Sequence, residues 1–246
     1  MYQFFVKSSQ IQGRQIIITG GDVNHIKNVL RMKPGEEIAV SNGLDGREYR
    51  CGIEEIGEKQ VRCSLRFIKE EGVELPVRVT LFQGLPKADK MEWIVQKMVE
   101  LGVHAIVPVE TKRSVVKLDG KKALAKAERW QSIAEAAAKQ SRRRIVPQVG
   151  EVCSFAEALN QAAGMDVKLI PYELSEGMAR TRRLIEAVKP GQQVAVFIGP
   201  EGGFEESEID RAKEAGFEAV TLGRRILRTE TAGLVVMAWL SYHQES

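Results

Sequence analysis

The pattern of apolar and polar residues changes character near residue 70. Before that point, short runs of β-branched residues separated by glycine turns predict strands over 15–19, 37–40, 48–53 and 60–65, with one helix near 24–31. This pattern is typical of a small, mostly β domain. The acidic stretch 69–76, which ends in a proline, predicts a linker.

Beyond the linker, apolar runs of strand length alternate with longer amphipathic segments. The predicted strands cover 77–83, 104–109, 167–170, 192–198 and 217–222. One predicted helix follows the first of these strands and ends near 101, and four further helices are predicted over 121–140, 154–163, 205–215 and 231–240. Ser154 and Glu157 have the spacing of a capping box at a helix start. Alternation of strands and helices predicts a parallel sheet covered by helices. We therefore predict an α/β domain over 73–246, preceded by a mostly β domain over 1–72.

Composition indicates a chain that can form a packed core. The 246 residues are 43% hydrophobic and carry a net charge of +3. The three cysteines form no C-x-x-C pair, which argues against both a disulfide framework and a zinc site, so we expect no metal. The first residues lack the pattern of a signal peptide, and no apolar run approaches transmembrane length. We therefore expect a cytoplasmic protein with no membrane partner.

Positive charge is concentrated in the middle of the chain. Residues 85–147 contain 14 Lys and Arg against 7 Asp and Glu, whereas residues 148–246 contain 10 against 15. The basic residues of this region include Lys112, Arg113, Lys117, Lys139, Arg142, Arg143 and Arg144. Such a cluster can neutralise several phosphates of a nucleic acid. A solvated helix end is the alternative interpretation.

Two glycine-bearing loops follow predicted strands. The first is Gly199-Pro-Glu-Gly-Gly203, and the second begins at Leu222-Gly-Arg-Arg-Ile-Leu-Arg228 and leads into an apolar helix. Neither loop has the G-x-G-x-x-G or P-loop spacing. Glutamates at the start of the helix after the first loop disfavour a phosphate and favour a neutral or cationic cofactor. Arg228 and Glu230 precede an almost wholly apolar helix, where charges are either paired structurally or functional.

Together the two loops resemble the SPOUT superfamily of RNA methyltransferases, and specifically the bacterial 16S ribosomal RNA uridine-N3 methyltransferases. Further similar motifs are His25-Ile-Lys-Asn-Val-Leu-Arg31, Leu85-Pro-Lys87 with Lys90, Glu100-Leu-Gly-Val103 and Gln140-Ser-Arg-Arg143. The resemblance implies S-adenosyl-L-methionine as cofactor and 16S ribosomal RNA, in an assembled small ribosomal subunit, as substrate. It also implies a PUA-like RNA-binding barrel followed by a SPOUT domain with a C-terminal trefoil knot. Such domains form homodimers through an apolar final helix, here Leu234, Val235, Met237, Trp239 and Leu240.

The resemblance also implies residue roles. The predicted cofactor-binding residues are Gly199, Pro200, Glu201, Gly202, Gly203, Leu222, Gly223, Ile226, Leu227, Arg228 and Thr231. Uridine N3 carries a proton, so a cation and a base are expected near the methyl group. We predict Arg228 as the cation and Glu230 as the base, with Glu201 as the alternative base.

RNA contact is predicted for Lys87, Lys90, Arg113, Arg142 and Arg143. Two other functions stay open at this stage. The chain is alternatively a ribose 2′-O-methyltransferase of the same superfamily, or a catalytically silent RNA-binding factor in ribosome assembly. The product nucleoside distinguishes the two enzymes, and cofactor binding distinguishes both from the silent factor.

Overall fold

A computed structural model describes residues 1–70, 72–172 and 177–245 of the chain. The chain folds as two compact units, one formed by 1–74 with 138–146 and the other by 75–137 with 147–246. Residues 138–146 therefore pack with the first unit, which the contiguous division at residue 72 did not indicate. Residue 71 of the predicted linker lies outside the described residues.

The first unit is built on one curled sheet. Its strands are β1 (Gln3–Phe5), β2 (Ile11–Gln12), β3 (Gln15–Thr19), β4 (Glu37–Ser41), β5 (Glu48–Ile56) and β6 (Gln60–Lys69), in the order β1-β4-β5-β6-β3-β2. β1 and β4 pair in parallel, and the other pairs are antiparallel. Two register shifts between β5 and β6 bend the sheet locally. The predicted helix near 24–31 is a short α1 (Gly21–Asn24) continued by a π-helical turn over His25–Val29.

Alternate residues of these strands fill the core of the first unit. The buried strand residues include Ile16, Ile18, Ile38, Val40, Cys51, Ile53, Val61 and Cys63. Burial raises the pKa of both cysteine thiols to about 12, so both stay neutral core groups at physiological pH. Within the described residues, no group of three or more histidine, cysteine or carboxylate side chains is arranged to hold a metal ion.

Segment 138–146 is held in the first unit by buried charged groups. The Arg143 Nε lies 3.0 Å from Oε2 of Glu74, and the other oxygen of that carboxylate accepts the backbone N–H of Arg144 at 2.9 Å. The Arg144 guanidinium donates to the carbonyl of Lys69 at 2.9 Å and lies 3.7 Å from Glu48. Buried ions need such partners, because an unpaired charge is costly to bury.

The second unit contains a parallel sheet with helices between its strands. Its strands are β7 (Arg78–Gly84), β8 (Ala105–Glu110), β9 (Gln148–Val149), β10 (Cys153–Ser154), β11 (Val167–Pro171), β12 (Gln193–Ile198) and β13 (Glu218–Val220). Its helices are α2 (Lys90–Glu100), α3 (Gly120–Gln140), α4 (Phe155–Ala162), α5 (Met178–Glu186), α6 (Glu206–Glu214) and α7 (Thr229–Gln244), the last turn of α3 belonging to the first unit. The strand order is β10-β8-β7-β12-β11-β13, with β9 paired to β8. The predicted α/β class is confirmed.

Two features of this unit follow directly from the sequence. β7 and β12 are neighbours at the centre of the sheet and are buried at every position after the first, and β12 is apolar at all of these buried positions. Ser154 caps α4, and its side chain and that of Glu157 form the predicted capping box. The trefoil knot stays a prediction.

The final helix α7 is apolar on several faces. Met237 and Leu240 are buried within the unit, whereas Leu234, Val235 and Trp239 are half-buried. α7 packs on α2 and on β12, which explains its buried face. In the part of the chain that the structure describes, no helix has the length and apolar character needed to cross a bilayer.

Candidate active site

A cavity of about 510 Å³ lies where the carboxyl ends of β11, β12 and β13 meet. These neighbouring strands are parallel, so the segments that follow them leave the sheet at the same edge. The cavity is lined by residues 198–204, which we call the first loop, and by residues 221–228, the second loop. Its volume is in the range typical of small-molecule sites, roughly 300 to 1,000 Å³.

The structure brings most of the predicted cofactor residues to this cavity. Those that line it are Gly199, Pro200, Glu201, Gly202, Gly203, Leu222, Gly223, Ile226, Leu227 and Arg228. Thr231 is the exception, because α7 begins two residues earlier than predicted and Thr231 lies within its first turn. Thr229 and Ala232 of α7 line the cavity instead.

Glycine lets the backbone of the first loop lie against the end of β7. A Cβ atom on Gly84 would lie 2.7 Å from Cδ of Pro200, closer than real side chains approach. Gly203 has a φ of 66° and closes a turn in which its N–H donates to the Pro200 carbonyl at 2.8 Å. The first loop is therefore fixed by its backbone.

A buried glutamine connects the first loop to the start of α7. Gln83 in β7 is fully buried, and its Nε2 donates to Oγ1 of Thr229 at 2.9 Å. The Thr229 hydroxyl in turn donates to the carbonyl of Gly199 at 2.6 Å. Sequence reasoning missed both side chains, although a lone amide within an apolar strand was the available signal. The chain of hydrogen bonds joins β7, the first loop and the start of α7.

Lys90 provides a second connection. Its Nζ lies 2.8 Å from Oε1 of Glu201 and 3.4 Å from Oε2 of Glu230, and the backbone N–H of Lys87 also donates to Glu201 at 3.2 Å. The hydrogen bond to Glu201 raises the pKa of Lys90. Burial opposes ionisation of Glu201, but the hydrogen bonds from Lys90 and from the backbone outweigh it and lower the pKa of that carboxyl. Glu201 is therefore a weak base.

The predicted catalytic pair is split by the cavity wall. Arg228 is the N-cap residue of α7; it is exposed and lines the cavity. Glu230 is half-buried and is not among the lining residues, and its Oε2 atom faces Lys90. The structure thus brings Arg228 to the cavity and places Glu230 behind it.

Carboxylates occupy the start of α6, beside the first loop. Glu205 and Glu208 form a capping box there, and Glu208 is buried. The backbone N–H of Lys112 donates to Glu208 at 2.9 Å, and the Lys112 ammonium lies 3.0 Å from Glu205. The Arg113 guanidinium donates to the carbonyl of Gly202 at 2.9 Å. A phosphate at this helix start would meet these carboxylates, which agrees with the interpretation of the sequence.

The residues predicted to contact RNA occupy different settings. Lys87 and Arg142 are exposed. Lys90 and Arg113 hold groups of the first loop, as described above. The Arg143 side chain is only 5% exposed and is paired with Glu74. The prediction for Arg143 is therefore corrected, because burial leaves its guanidinium no access to a phosphate.

Other members of the predicted basic cluster are also structural. The Lys139 ammonium lies 2.6 Å from Asp22 and 5.2 Å from the centre of the Phe4 ring. Arg144 is buried beside Glu48. Spacing along the sequence could not show these partners, because Asp22 and Glu48 precede the cluster by about a hundred residues.

Comparison with known families defines the class of the protein. The family model of the RNA methyltransferase domain matches residues 73–241, and the model of the RNA methyltransferase PUA domain matches residues 18–66. The chain therefore belongs to the RNA methyltransferase family, with a PUA domain preceding the methyltransferase domain, as the sequence motifs predicted.

The similar proteins narrow the family further. The chain is 39% identical to the ribosomal RNA small subunit methyltransferase E of Bacillus subtilis, covering 100% of this chain and 98% of that protein. The crystal structure of a ribosomal RNA small subunit methyltransferase E from Neisseria gonorrhoeae, bound to S-adenosylmethionine, is 33% identical with a TM-score of 0.84 over 97% of this chain and 95% of that chain. A Legionella pneumophila putative methyltransferase, also solved with this cofactor, is 31% identical with a TM-score of 0.82 over 98% and 96%.

Proposed function

We propose that the protein transfers a methyl group from S-adenosylmethionine to N3 of a uridine in 16S ribosomal RNA, within the assembled small subunit. One observation carries the proposal: the two glycine loops that bear the family motifs line a single cavity. The full-length similarity to small-subunit methyltransferases supports the same class of substrate.

The residues of the cavity fit S-adenosylmethionine. This cofactor is a sulfonium cation without a phosphate, and the start of α6 carries carboxylates where a phosphate-binding helix would leave its N–H groups free. The first loop has glycines at positions where its backbone approaches neighbouring groups closely. When bound, the cofactor supplies an electrophilic methyl group.

The protein's own residues align the reactants and remove the proton from N3 of the uridine. As the new bond forms to N3 and the bond from the methyl carbon to sulfur breaks, the N3 proton has to leave. Arg228, exposed in the cavity wall, stabilises the negative charge that develops on the uracil oxygens. Glu230 stays the proposed proton acceptor, with Glu201 as the alternative. Glu201 lines the cavity, but its lowered pKa makes it a weak base. Glu230 faces Lys90 behind the cavity wall, so the proton reaches it indirectly and not by direct contact with N3. Alignment alone contributes up to about 7 to 11 kcal/mol in favourable cases.

The proposal includes the partners of the enzyme. Lys87 and Arg142, both exposed, contact the RNA, and a ribosomal substrate places the protein in the cytoplasm. A second copy of the chain covers the half-buried Leu234, Val235 and Trp239 of α7, near the exposed Tyr242. The homodimer thus gives the apolar final helix a partner for its outer face.

The test is transfer of labelled methyl groups to small ribosomal subunits that lack the modification and, in parallel, to naked 16S ribosomal RNA. After digestion, mass spectrometry identifies the labelled nucleoside. We expect 3-methyluridine, formed faster on the subunits, and loss of turnover with retained cofactor binding in Arg228→Ala. Label on a ribose would identify the alternative methyltransferase, and RNA binding without label would identify a silent assembly factor.

A further inference from the structure

Most basic side chains near the cavity already have a partner within the protein. Three lysines form ion pairs: Lys90 with Glu201 and Glu230, Lys112 with Glu205, and Lys117 with Glu110. Arg113 donates a hydrogen bond to the Gly202 carbonyl. The second loop differs. Arg224, Arg225 and Arg228 are exposed and line the cavity, and none of them forms an ion pair with a residue in the described ranges. Uncompensated cations at a cavity rim attract a polyanion.

The same loop exposes an apolar side chain. Ile226 is 87% exposed, more than any other large hydrophobic residue in the described part of the chain, and it lines the cavity directly after the two arginines. A single exposed isoleucine needs no explanation by itself. Ile226 lies beside arginines that form no ion pair with a described residue and lines a cavity of cofactor size, and this position indicates a functional role for its side chain.

The chemistry of the proposed reaction requires a base that has left its stack. N3 lies on the Watson–Crick edge of uracil, and a paired or stacked uridine cannot bring this atom into a cavity within the protein. An apolar side chain inserted between base steps can take the place of a base that has left the stack, and cations bind the flanking phosphates. Arg224, Arg225 and Ile226 supply both chemical features in three consecutive residues.

We propose that Arg224, Arg225 and Ile226 form an RNA wedge: the arginines bind the phosphates that flank the target nucleotide, and Ile226 fills the space that the uracil leaves. This inference rests on the proposed function and assigns the Ile226 side chain to the substrate, while its backbone stays with the cofactor. Lys90 and Arg113 bind groups of the protein itself, so we assign RNA recognition in the second unit to Arg224, Arg225 and Ile226.

The experiment compares four variants with the wild-type protein. Ile226→Ala removes the wedge and Ile226→Leu keeps its apolar bulk, while the double variant Arg224→Ala/Arg225→Ala removes the phosphate contacts. Leu124→Ala, at a half-exposed leucine of α3 that does not line the cavity, is the matched control. Each is measured for cofactor affinity by calorimetry, for the salt dependence of binding to unmodified small subunits, and for kcat and KM of methyl transfer.

We expect Ile226→Ala to lower kcat by about tenfold or more with cofactor affinity unchanged, and Ile226→Leu to restore it. The double arginine variant should weaken subunit binding and reduce the salt slope by about 1.4, or about 0.7 for each phosphate contact to a single strand. Leu124→Ala should match the wild type in all three measurements.

Three results overturn the proposal. Equal losses of cofactor affinity and of activity in Ile226→Ala would place its side chain in the cofactor site. Unchanged subunit binding and salt slope in the double variant would make the rim a solvated surface, as would wild-type kinetics in Ile226→Ala. Absence of methyl transfer by the wild-type protein would instead remove the proposed function, and the salt slopes would still show whether the arginines bind RNA.

Discussion

At the scale of single residues, Lys90 stabilises the ionised form of Glu201, a carboxylate that lines the cavity. It faces two carboxylates, one from the first loop and one from α7, and it keeps Glu201 ionised despite partial burial. Lys90 lies at the border of the apolar stripe of α2, in which Met91, Ile94, Val95 and Met98 are buried, and its side chain is only 29% exposed. The two carboxylates could not be predicted, since they lie more than a hundred residues further along the chain.

We expect Lys90→Met to lower stability in a pH-dependent way. The lowered pKa of Glu201 contributes stability above its unfolded-state value of about 4.3, lost as the pH falls through the folded pKa. The raised pKa of Lys90 contributes stability below its unfolded-state value of about 10.4, lost as the pH rises through the folded pKa. The difference in unfolding free energy between wild type and variant should therefore be largest near neutral pH.

Urea unfolding between about pH 3.5 and pH 11 measures this difference. Lys90→Arg, which keeps the cation, serves as the control and should lose less stability at neutral pH. A difference between wild type and Lys90→Met that stays constant over the whole range would show that the effect comes from lost packing and not from charge.

At the scale of elements, the hydrogen bonds of Gln83 and Thr229 connect β7, the first loop and α7. Local patterns predicted most of the longer strands and helices, because apolar periodicity, glycine turns and the Ser154 cap act within a few residues, but β1, β2 and α5 were not predicted. The two-residue strands β9 and β10 are too short for such a pattern. The start of α7 was placed late because Thr229 and Glu230 resemble a polar loop until their partners in β7 and α2 are known.

Thr229→Val tests this connection. Valine has nearly the shape of threonine but lacks the hydroxyl, so the buried amide of Gln83 and the Gly199 carbonyl lose their common partner. Leaving a buried polar group unsatisfied costs about 1 to 3 kcal/mol. We expect urea unfolding to show a loss of this size and calorimetry to show weaker cofactor binding.

Thr229→Ser provides the matched comparison, because it keeps the hydroxyl and removes only a methyl group. It should retain most of the cofactor affinity that Thr229→Val loses. Equal cofactor affinity in Thr229→Val and the wild type would show that the loops hold their positions without this hydrogen bond.

At the scale of the whole molecule, features that depend on local motifs could be predicted from the sequence, and features that depend on pairs of distant residues could not. The fold class and the family could be predicted because their signals are local motifs spread over most of the chain. The membership of 138–146 in the first unit could not, because it depends on buried pairs such as Arg143 with Glu74 that bring distant segments together. Such pairs also explain why Lys139, Arg143 and Arg144, which resemble a phosphate-binding cluster in the sequence, have a structural role.

We infer that the two glycine loops of this chain form the S-adenosylmethionine site. Hydrogen–deuterium exchange of the wild-type protein, with and without the cofactor and read by mass spectrometry, tests it without any substitution. We expect slower exchange in peptides that cover 198–204 and 221–232, and unchanged exchange in the sheet of the first unit. Protection confined to other segments, or none at a saturating concentration of cofactor, would contradict it.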